Sequence, residues 1–445
     1  PKISTFLQSL FEELQEVFPD PYVHIGGDEV FGGSQESEFM RGRFFRETIG
    51  DALQNISRKM VGWDELLDDN GLPKGSVVQI WRGGNAGVRA TRQGVKIVWS
   101  EGFYLDLLKP ASEHYLYDPD QEAQAKAIGG EACMWSELVN HNTLESRIWP
   151  RAAAVAERLW SPKETRNVAD LYRRITTLPS RLEAMGASRQ RSNQMVLLQR
   201  IACGDHLLAS AFSQIGTMFT PLGLRQRNTP PKYTTLTPLT NFPDALQPDP
   251  QAPRIFAVLL SKALRGDTQA KTKAKHLLTS WSRAAATLYQ SSGETGACSS
   301  LHALSTLIES CYQVARAAIA ALGFVGKETQ NGAAKAASAL SDALAGAESE
   351  ARAFEARMVV GEALHMVGAA LGGKDPPPGG YINSCRECEF TVASLTCSCS
   401  SRSGFGKNSV LERPFECAAP PGIDNQDGCL VCVRLDGREE RARGC

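Results

Sequence analysis

The chain has 445 residues, a formal net charge of −1, and 42% hydrophobic and 22% charged residues. The length predicts about two to four domains, and the near-neutral balance excludes the basic footprint of a nucleic-acid binder. No apolar run is long enough to span a membrane and no secretory leader is visible. The missing leader carries little weight: the chain opens at Pro1 without Met, and Ser4 to Phe18 already reads as an amphipathic helix, as in the interior of a larger reading frame.

Residues 1–191 alternate helical and strand patterns. Ile3, Phe6, Leu7, Leu10, Phe11 and Leu14 give one helix face. Tyr22-Val23-His24-Ile25 reads as a buried strand, followed by Gly26-Gly27, which permit a tight turn, and by Asp28-Glu29. Neighbouring carboxylates repel, which can set a proton donor beside a permanent anion. A Gly-Gly-Asp-Glu turn also occurs in the hairpin of diguanylate cyclases, but that hairpin needs an apolar strand directly afterwards, and Phe31-Gly32-Gly33-Ser34-Gln35-Glu36 follows here. Phe39 to Lys59 reads as a helix, Met60 to Trp63 as a strand ending at Asp64-Glu65, and Val77 to Trp81 as the next strand. Ala86 to Gln93 reads as a helix, and Val95 to Trp99 as a strand running on to Phe103-Tyr104-Leu105-Asp106. Ala127 to Ala132 leads into Cys133-Met134-Trp135-Ser136-Glu137, and one long helix covers Leu144 to Leu159. This order predicts an α/β fold with a parallel sheet, of which five strands are visible where a closed (β/α) barrel needs about eight.

Aromatic residues and acids recur at the predicted strand ends: Trp63, Trp81, Tyr104 with Asp106, and Trp135 with Glu137. Indole walls with a few carboxylates suit a sugar ring, whose C–H faces stack and whose hydroxyls need acceptors.

The segments HIGGDEV, VGWDE, VVQIW, YLD and GGEACMWSELVNHNTLESRIWPRAAAVAERLWSP resemble the β-N-acetylhexosaminidases of glycoside hydrolase family 20, the last run being similar to the lysosomal-type enzymes. The resemblance covers about Pro1 to Arg191. It implies strands four to eight of a (β/α) barrel, and retaining hydrolysis in which the substrate's 2-acetamido oxygen is the nucleophile. By the same resemblance Glu29 is the general acid/base, Asp28 orients the acetamido N–H, and Tyr104 donates to the acetamido oxygen. Trp63, Trp81 and Trp135 form an aromatic box, and Asp106 and Glu137 accept from sugar hydroxyls. His24 lies inside the motif, either in contact with substrate or packed behind it. No metal and no cofactor is implied. The implied partners are glycans containing N-acetylhexosamine; assembly into oligomers is left open. The family's arginine on the first barrel strand would precede Pro1, so the expectation is a chain lacking the first half of the barrel and inactive alone. The competing class is an amino-sugar-binding protein that does not cleave.

Residues 192–373 read as a helical accessory domain: Leu197 to Phe219, Pro253 to Leu264, Gln269 to Tyr289, Leu301 to Leu322 and Ala333 to Leu371, with a Pro/Thr-rich connection from Asn228 to Thr240. His302 and His365 read as structural, and the basic residues from Arg254 to Lys275 as a solvated helix face. Residues 374–445 form a Pro/Gly linker and a Cys-rich β module. Eight of the 12 cysteines lie from Cys385 onward, which places disulfides or a metal in the tail only. Strand-like alternation runs from Phe390 to Cys397 and from Leu430 to Val433. Ser384-Cys385, Leu395-Thr396-Cys397 and Asp424 to Cys432 resemble one repeat of the cyanovirin-N family of glycan-binding lectins; a disulfide-stapled module of another kind and a zinc site are the alternatives. The tail and the enzyme resemblance together imply a lysosomal or extracellular location.

Overall fold

The computed structural model describes residues 2–30, 43–68, 72–119, 127–228, 233–292, 299–326 and 330–371, and six strands within 385–441. The loop after Glu29, the start of the helix expected from Phe39 and the Pro/Gly linker lie outside the described residues. Two compact units emerge: residues 1–105, 113–134 and 155–165 in one, and 106–112, 135–154 and 166–445 in the other.

The first unit is built on a five-stranded sheet: β1 (Tyr22–His24), β2 (Lys59–Trp63), β3 (Val77–Ile80), β4 (Lys96–Trp99) and β5 (Gly129–Gly130). All pairings are parallel and the strands lie in chain order. An order that never reverses is that of a singly wound (β/α) barrel, not of a doubly wound sheet. All four residues of β3 are buried, as a central parallel strand covered on both faces requires. β1 differs from the expected buried strand: Tyr22 and His24 are exposed and Val23 is half-buried, because among the described residues β1 pairs only with β2 and forms the sheet edge.

Helix α1 (Lys2–Val17) buries only Phe11. Phe11 packs with Phe45, Ile49, Leu53, Met60 and Leu66, and Leu7 and Val23 lie against them. Ile3, Phe6, Leu10 and Leu14, expected on the same buried face, are exposed. A π-helix over Phe44–Ile49 and α2 (Gly50–Asn55) lead into β2, and α3 (Gly84–Arg92) joins β3 to β4. Gly94, with φ +68°, closes α3: its N–H donates to Thr91 O and Val95 N–H donates to Ala90 O. The expected long helix from Leu144 breaks at Pro150 into Leu144–Ile148 and Arg151–Trp160, since proline offers no N–H and clashes with the preceding turn.

The second unit is mostly helical. Gln190–Ile201, His206–Gly216, Gln251–Leu264, Thr268–Ser292, Ser305–Phe324, Gln330–Ala353 and Val360–Ala370 surround one apolar core that includes Phe212, Phe256, Trp281, Ile308 and Leu344. Asp205 caps His206–Gly216 by accepting from the N–H groups of Leu207 and Leu208. The Ala-rich run expected as one helix is interrupted by β7 (Ala356–Met358), which pairs antiparallel with β6 (Phe219–Pro221). Cys203 is disulfide-bonded, which corrects the placement of disulfides in the tail alone. The tail contributes two three-stranded antiparallel sheets. The first has Ser394–Ser400 between Cys385–Phe390 and Gly406–Glu412, and the second has Cys429–Val433 between Ile423–Gln426 and Glu439–Arg441. The cysteine side chains of the tail lie outside the description. No helix among the described residues is long and apolar enough to cross a membrane.

The contact between β1 and β2 depends on a residue without a Cβ. A Cβ on Gly62 would sit 3.0 Å from Gly26 O and 2.3 Å from Leu66 Cδ1. Gly62→Ala is expected to destabilise the first unit by about 1–3 kcal/mol through overpacking. Gly94→Ala, where a Cβ meets nothing within 4 Å, carries only left-handed backbone strain of about 1 kcal/mol. Thermal melts of the two variants beside the parent chain check the order; equal losses would contradict it.

Candidate active site

In the first unit the candidate residues gather at the C-terminal ends of the parallel strands. β1 ends at His24, and Gly26 and Gly27 follow with φ +72° and +96°. The parallel ladder with β2 runs on into this turn: Ile25 N–H donates to Val61 O at 2.9 Å, and Trp63 N–H donates to Gly26 O at 3.0 Å. Asp28 is half-buried, and Glu29 is exposed with φ +49°, a conformation few non-glycine residues adopt. Such strain clusters at functional sites.

His24 receives the N–H of Gly26 at Nδ1, 3.1 Å away. A backbone amide can only donate, so Nδ1 is the acceptor and Nε2 carries the hydrogen. Nε2 then donates to Gln79 Oε1 at 3.0 Å, and Gln79 Nε2 donates to Ser100 Oγ at 2.7 Å. The imidazole also stands edge-on to the Trp63 ring, with centroids 5.5 Å apart. This chain of bonds ties the ends of β1, β3 and β4 together and fixes the His24 ring in one orientation. Both roles for His24 that the sequence leaves open, substrate contact and packing, remain compatible with these contacts, since the ring is bonded on both nitrogens and His24 is exposed.

Trp63 is buried and Trp81 half-buried. The Trp81 indole N–H points at Glu65, 3.2 and 3.1 Å from its two carboxylate oxygens. Asp64, fully buried, accepts from the backbone N–H groups of Trp81 and Arg82 at 2.9 and 3.0 Å and from the Arg82 guanidinium. Tyr104 does not end a continuous strand as expected. β4 stops at Trp99, and Tyr104 forms an isolated parallel bridge with Cys133 after an intervening turn. Leu105 N–H donates to Cys133 O at 2.7 Å and so holds Tyr104 in register.

Asp106, Trp135 and Glu137 belong to the second unit. Asp106 and Glu137 are not on strands: a short 3-10 turn covers Leu105–Leu107, and Trp135 and Glu137 follow the end of the sheet in irregular chain. The Asp106 carboxyl is pushed up to about 6, by burial first; the N–H groups of Asp106 and Trp135 pull it down, Glu137 adds to the rise, and Arg151 opposes it. Arg151 is buried and donates to Lys109 O at 3.1 Å.

Three residues outside the expected set organise the first-unit site: Asp64, Glu65 and Gln79. Gln79 had a visible signal, a polar residue inside the apolar run Val77-Val78-Gln79-Ile80. Asp64 and Glu65 stood at a predicted strand end, but sequence alone could not say that they face inward onto the next strand's tryptophan.

Residues 1–163 match the family described as glycosyl hydrolase family 20, catalytic domain. The beta-hexosaminidase subunit beta of Homo sapiens is 34% identical over 214 residues, which are 42% of this chain and 38% of that protein. The beta-hexosaminidase subunit alpha of Mus musculus is 32% identical over 216 residues, 42% of this chain and 41% of that protein. The chain thus spans about two fifths of the length of these curated relatives. The X-ray structure of the chitobiase of Flavobacterium johnsoniae superposes with a TM-score of 0.72 at 27% identity, covering 83% of this chain and 59% of that one. That likeness reaches well past residue 163 and takes in much of the helical region. The fold of the matched part is α/β and TIM-barrel-like, with a parallel sheet.

The raised Asp106 carboxyl has a consequence for stability. A native carboxyl of pKa about 6 holds its proton more tightly than the unfolded one, near 3.9. Stability is therefore greatest below the unfolded value and falls as pH rises through about 6. Solvent screening of this half-buried group reduces the loss to about 1 kcal/mol. Asp106→Asn should flatten the dependence of melting temperature on pH between about 4 and 7. A profile unchanged from the parent would show that Asp106 does not titrate in this range.

Proposed function

We propose that the protein is a glycoside hydrolase that removes terminal N-acetylhexosamine, GlcNAc or GalNAc, by substrate-assisted retaining hydrolysis. The observation that carries this reading is the pair Asp28-Glu29 on a left-handed turn at the C-terminal end of β1, with Trp63 and Trp81 ending the next two strands of a sheet wound in chain order. Catalytic groups on (β/α) barrels stand at that end of the strands. The match to the family 20 catalytic domain and the likeness to a chitobiase support the same class.

In the proposed reaction Asp28 accepts the acetamido N–H, which raises the nucleophilicity of the acetamido oxygen. That oxygen attacks the anomeric carbon while Glu29 gives its proton to the departing glycosidic oxygen. The product is a cyclic oxazolinium whose positive charge the Asp28 carboxylate balances. Glu29, now a carboxylate, takes a proton from water as the water attacks the anomeric carbon and reopens the ring. Trp63 and Trp81 wall the acetamido group, and Tyr104 donates to its oxygen. Asp106 and Glu137 as acceptors for sugar hydroxyls and Trp135 as a ring platform belong to the same proposal.

The helical residues 192–373 we read as an accessory domain and 374–445 as a linker with a small Cys-rich module. The module's cyanovirin-like character stands as part of this proposal. The disulfide at Cys203 supports an oxidising compartment, lysosomal or extracellular.

A thiazoline analogue of N-acetylglucosamine mimics the cyclic intermediate and should inhibit at least about a hundredfold more tightly than the free sugar. Glu29→Gln should lower kcat on an aryl N-acetylglucosaminide by about a hundredfold or more. Trapping of the sugar as an ester on an Asp or Glu side chain would instead reveal an enzyme nucleophile and sink the mechanism.

A further inference from the structure

Glu65 holds a place that no expected role accounts for. It lies on the 3-10 turn Asp64–Asp68 directly after β2, with its side chain almost wholly buried. Burying a carboxylate is unfavourable unless donors surround it. Three groups face it: the Trp81 indole N–H donates at 3.2 and 3.1 Å, the Glu29 backbone N–H lies at 3.5 Å, and the Arg82 guanidinium pairs with it electrostatically at 3.9 Å. Two of these three come from residues assigned to the reaction: one is the aromatic wall, the other is the main chain of the proton donor. The Glu29 contact is long, so the carboxylate serves it from the same oxygen that bonds the indole. Glu29 is also the residue with φ +49°, whose conformation needs support from outside its own turn.

We infer that Glu65 is a positioning residue whose carboxylate couples the orientation of the Trp81 indole to the backbone of the turn that carries Glu29. The inference rests on the reading of Glu29 as proton donor for its catalytic consequence, but the coupling itself is a property of the sugar-free protein. Substrate that presses on the indole would, through Glu65, settle the turn that presents the acid. Among the described residues, the Glu65 carboxylate bonds both the Trp81 indole and the Glu29 main chain.

The test uses the whole chain and two readouts. The first is hydrogen exchange of the Trp81 indole N–H and the Glu29 amide, followed by NMR without ligand. Glu65→Gln replaces the charged acceptor of the indole N–H by a neutral amide oxygen, and Glu65→Asp shortens the reach to Glu29. Each should speed exchange at its site by about tenfold, the worth of one hydrogen bond to a charged acceptor. Trp81→Phe serves if either variant fails to fold. It leaves Glu29 untouched, yet it should change exchange at the Glu29 amide, because Glu65 loses its main anchor. Unchanged protection at Glu29 in Trp81→Phe would overturn the coupling. The second readout is hydrolysis of aryl N-acetylglucosaminides with good and poor leaving groups. Poor leaving groups need the proton from Glu29, so Glu65→Gln should cost them about tenfold more in kcat than good ones. An equal loss for both would assign Glu65 to general structure and overturn its link to proton donation. If the unaltered chain hydrolyses neither, the proposed function fails while the exchange measurements still decide the coupling.

Discussion

The carboxylate of Asp64 is the constraint on which the rest of the site depends. It is fully buried, and a buried charge persists only where donors replace water. Its donors are two successive backbone amides at the end of β3 and the guanidinium of the residue that carries the second amide. The chain leaving β3 is therefore pinned at Trp81 and Arg82 to the turn leaving β2. Trp81 cannot swing away from the strand ends without stranding that charge. With Trp81 fixed in this way, the neighbouring Glu65 can hold the indole, and the indole can present a flat apolar face in one place.

A second polar line crosses the strand ends, buried at Gln79 and Ser100 and reaching the exposed His24. Gln79 points from the middle of the best-covered strand, reaching His24 on one side and Ser100 on the other. An apolar residue there would cost less to bury, but it would leave the imidazole of His24 without an acceptor for its Nε2–H. The network fixes the imidazole against Trp63 and, through Gly26 N–H, the first residue of the glycine turn. Close approach completes the arrangement: neither Gly26 nor Gly62 has a side chain to hold the two strand ends apart. Sheet, turn and aromatic wall are thus held largely by polar contacts from Asp64, Glu65 and Gln79, with His24 the candidate residue that joins them.

Much of this was legible in the sequence where a residue type admits one physical reading. Runs of four or five mostly apolar residues ending in tryptophan gave β2, β3 and β4 to within a residue or two, and the glycine pair after His24 marked the turn. The family resemblance rested on the same stretches. What escaped was non-local. β6 and β7 are three residues each and pair across a long stretch of helical chain, so neither has a periodic pattern of its own. Tyr104 owes its place to one bridge with Cys133 and not to a strand long enough to see. The exposed stripe of α1 reads from sequence as a core face; only the packing shows that Phe11 alone is buried. The roles of Glu65 and Gln79 depend on which residue of another strand lies opposite, which no single-strand pattern encodes.

The distribution of strain and support bears on how such a site can work. Glu29 is exposed and left-handed in backbone, whereas Asp64, Glu65 and Gln79 are buried and satisfied. Among the described residues around it, the exposed Glu29 carboxylate is thus backed by side chains that are themselves buried and hydrogen-bonded. Catalysis by general acid requires the donor to meet the leaving oxygen closely, and an error of about 1 Å can cost roughly a hundredfold in rate. On the proposed mechanism, the Glu29 side chain would meet the departing oxygen from a turn that the buried carboxylate of Glu65 supports. If the proposed reaction holds, its accuracy would come in large part from the buried polar residues behind the strand ends, and substitutions there should be felt in the chemistry.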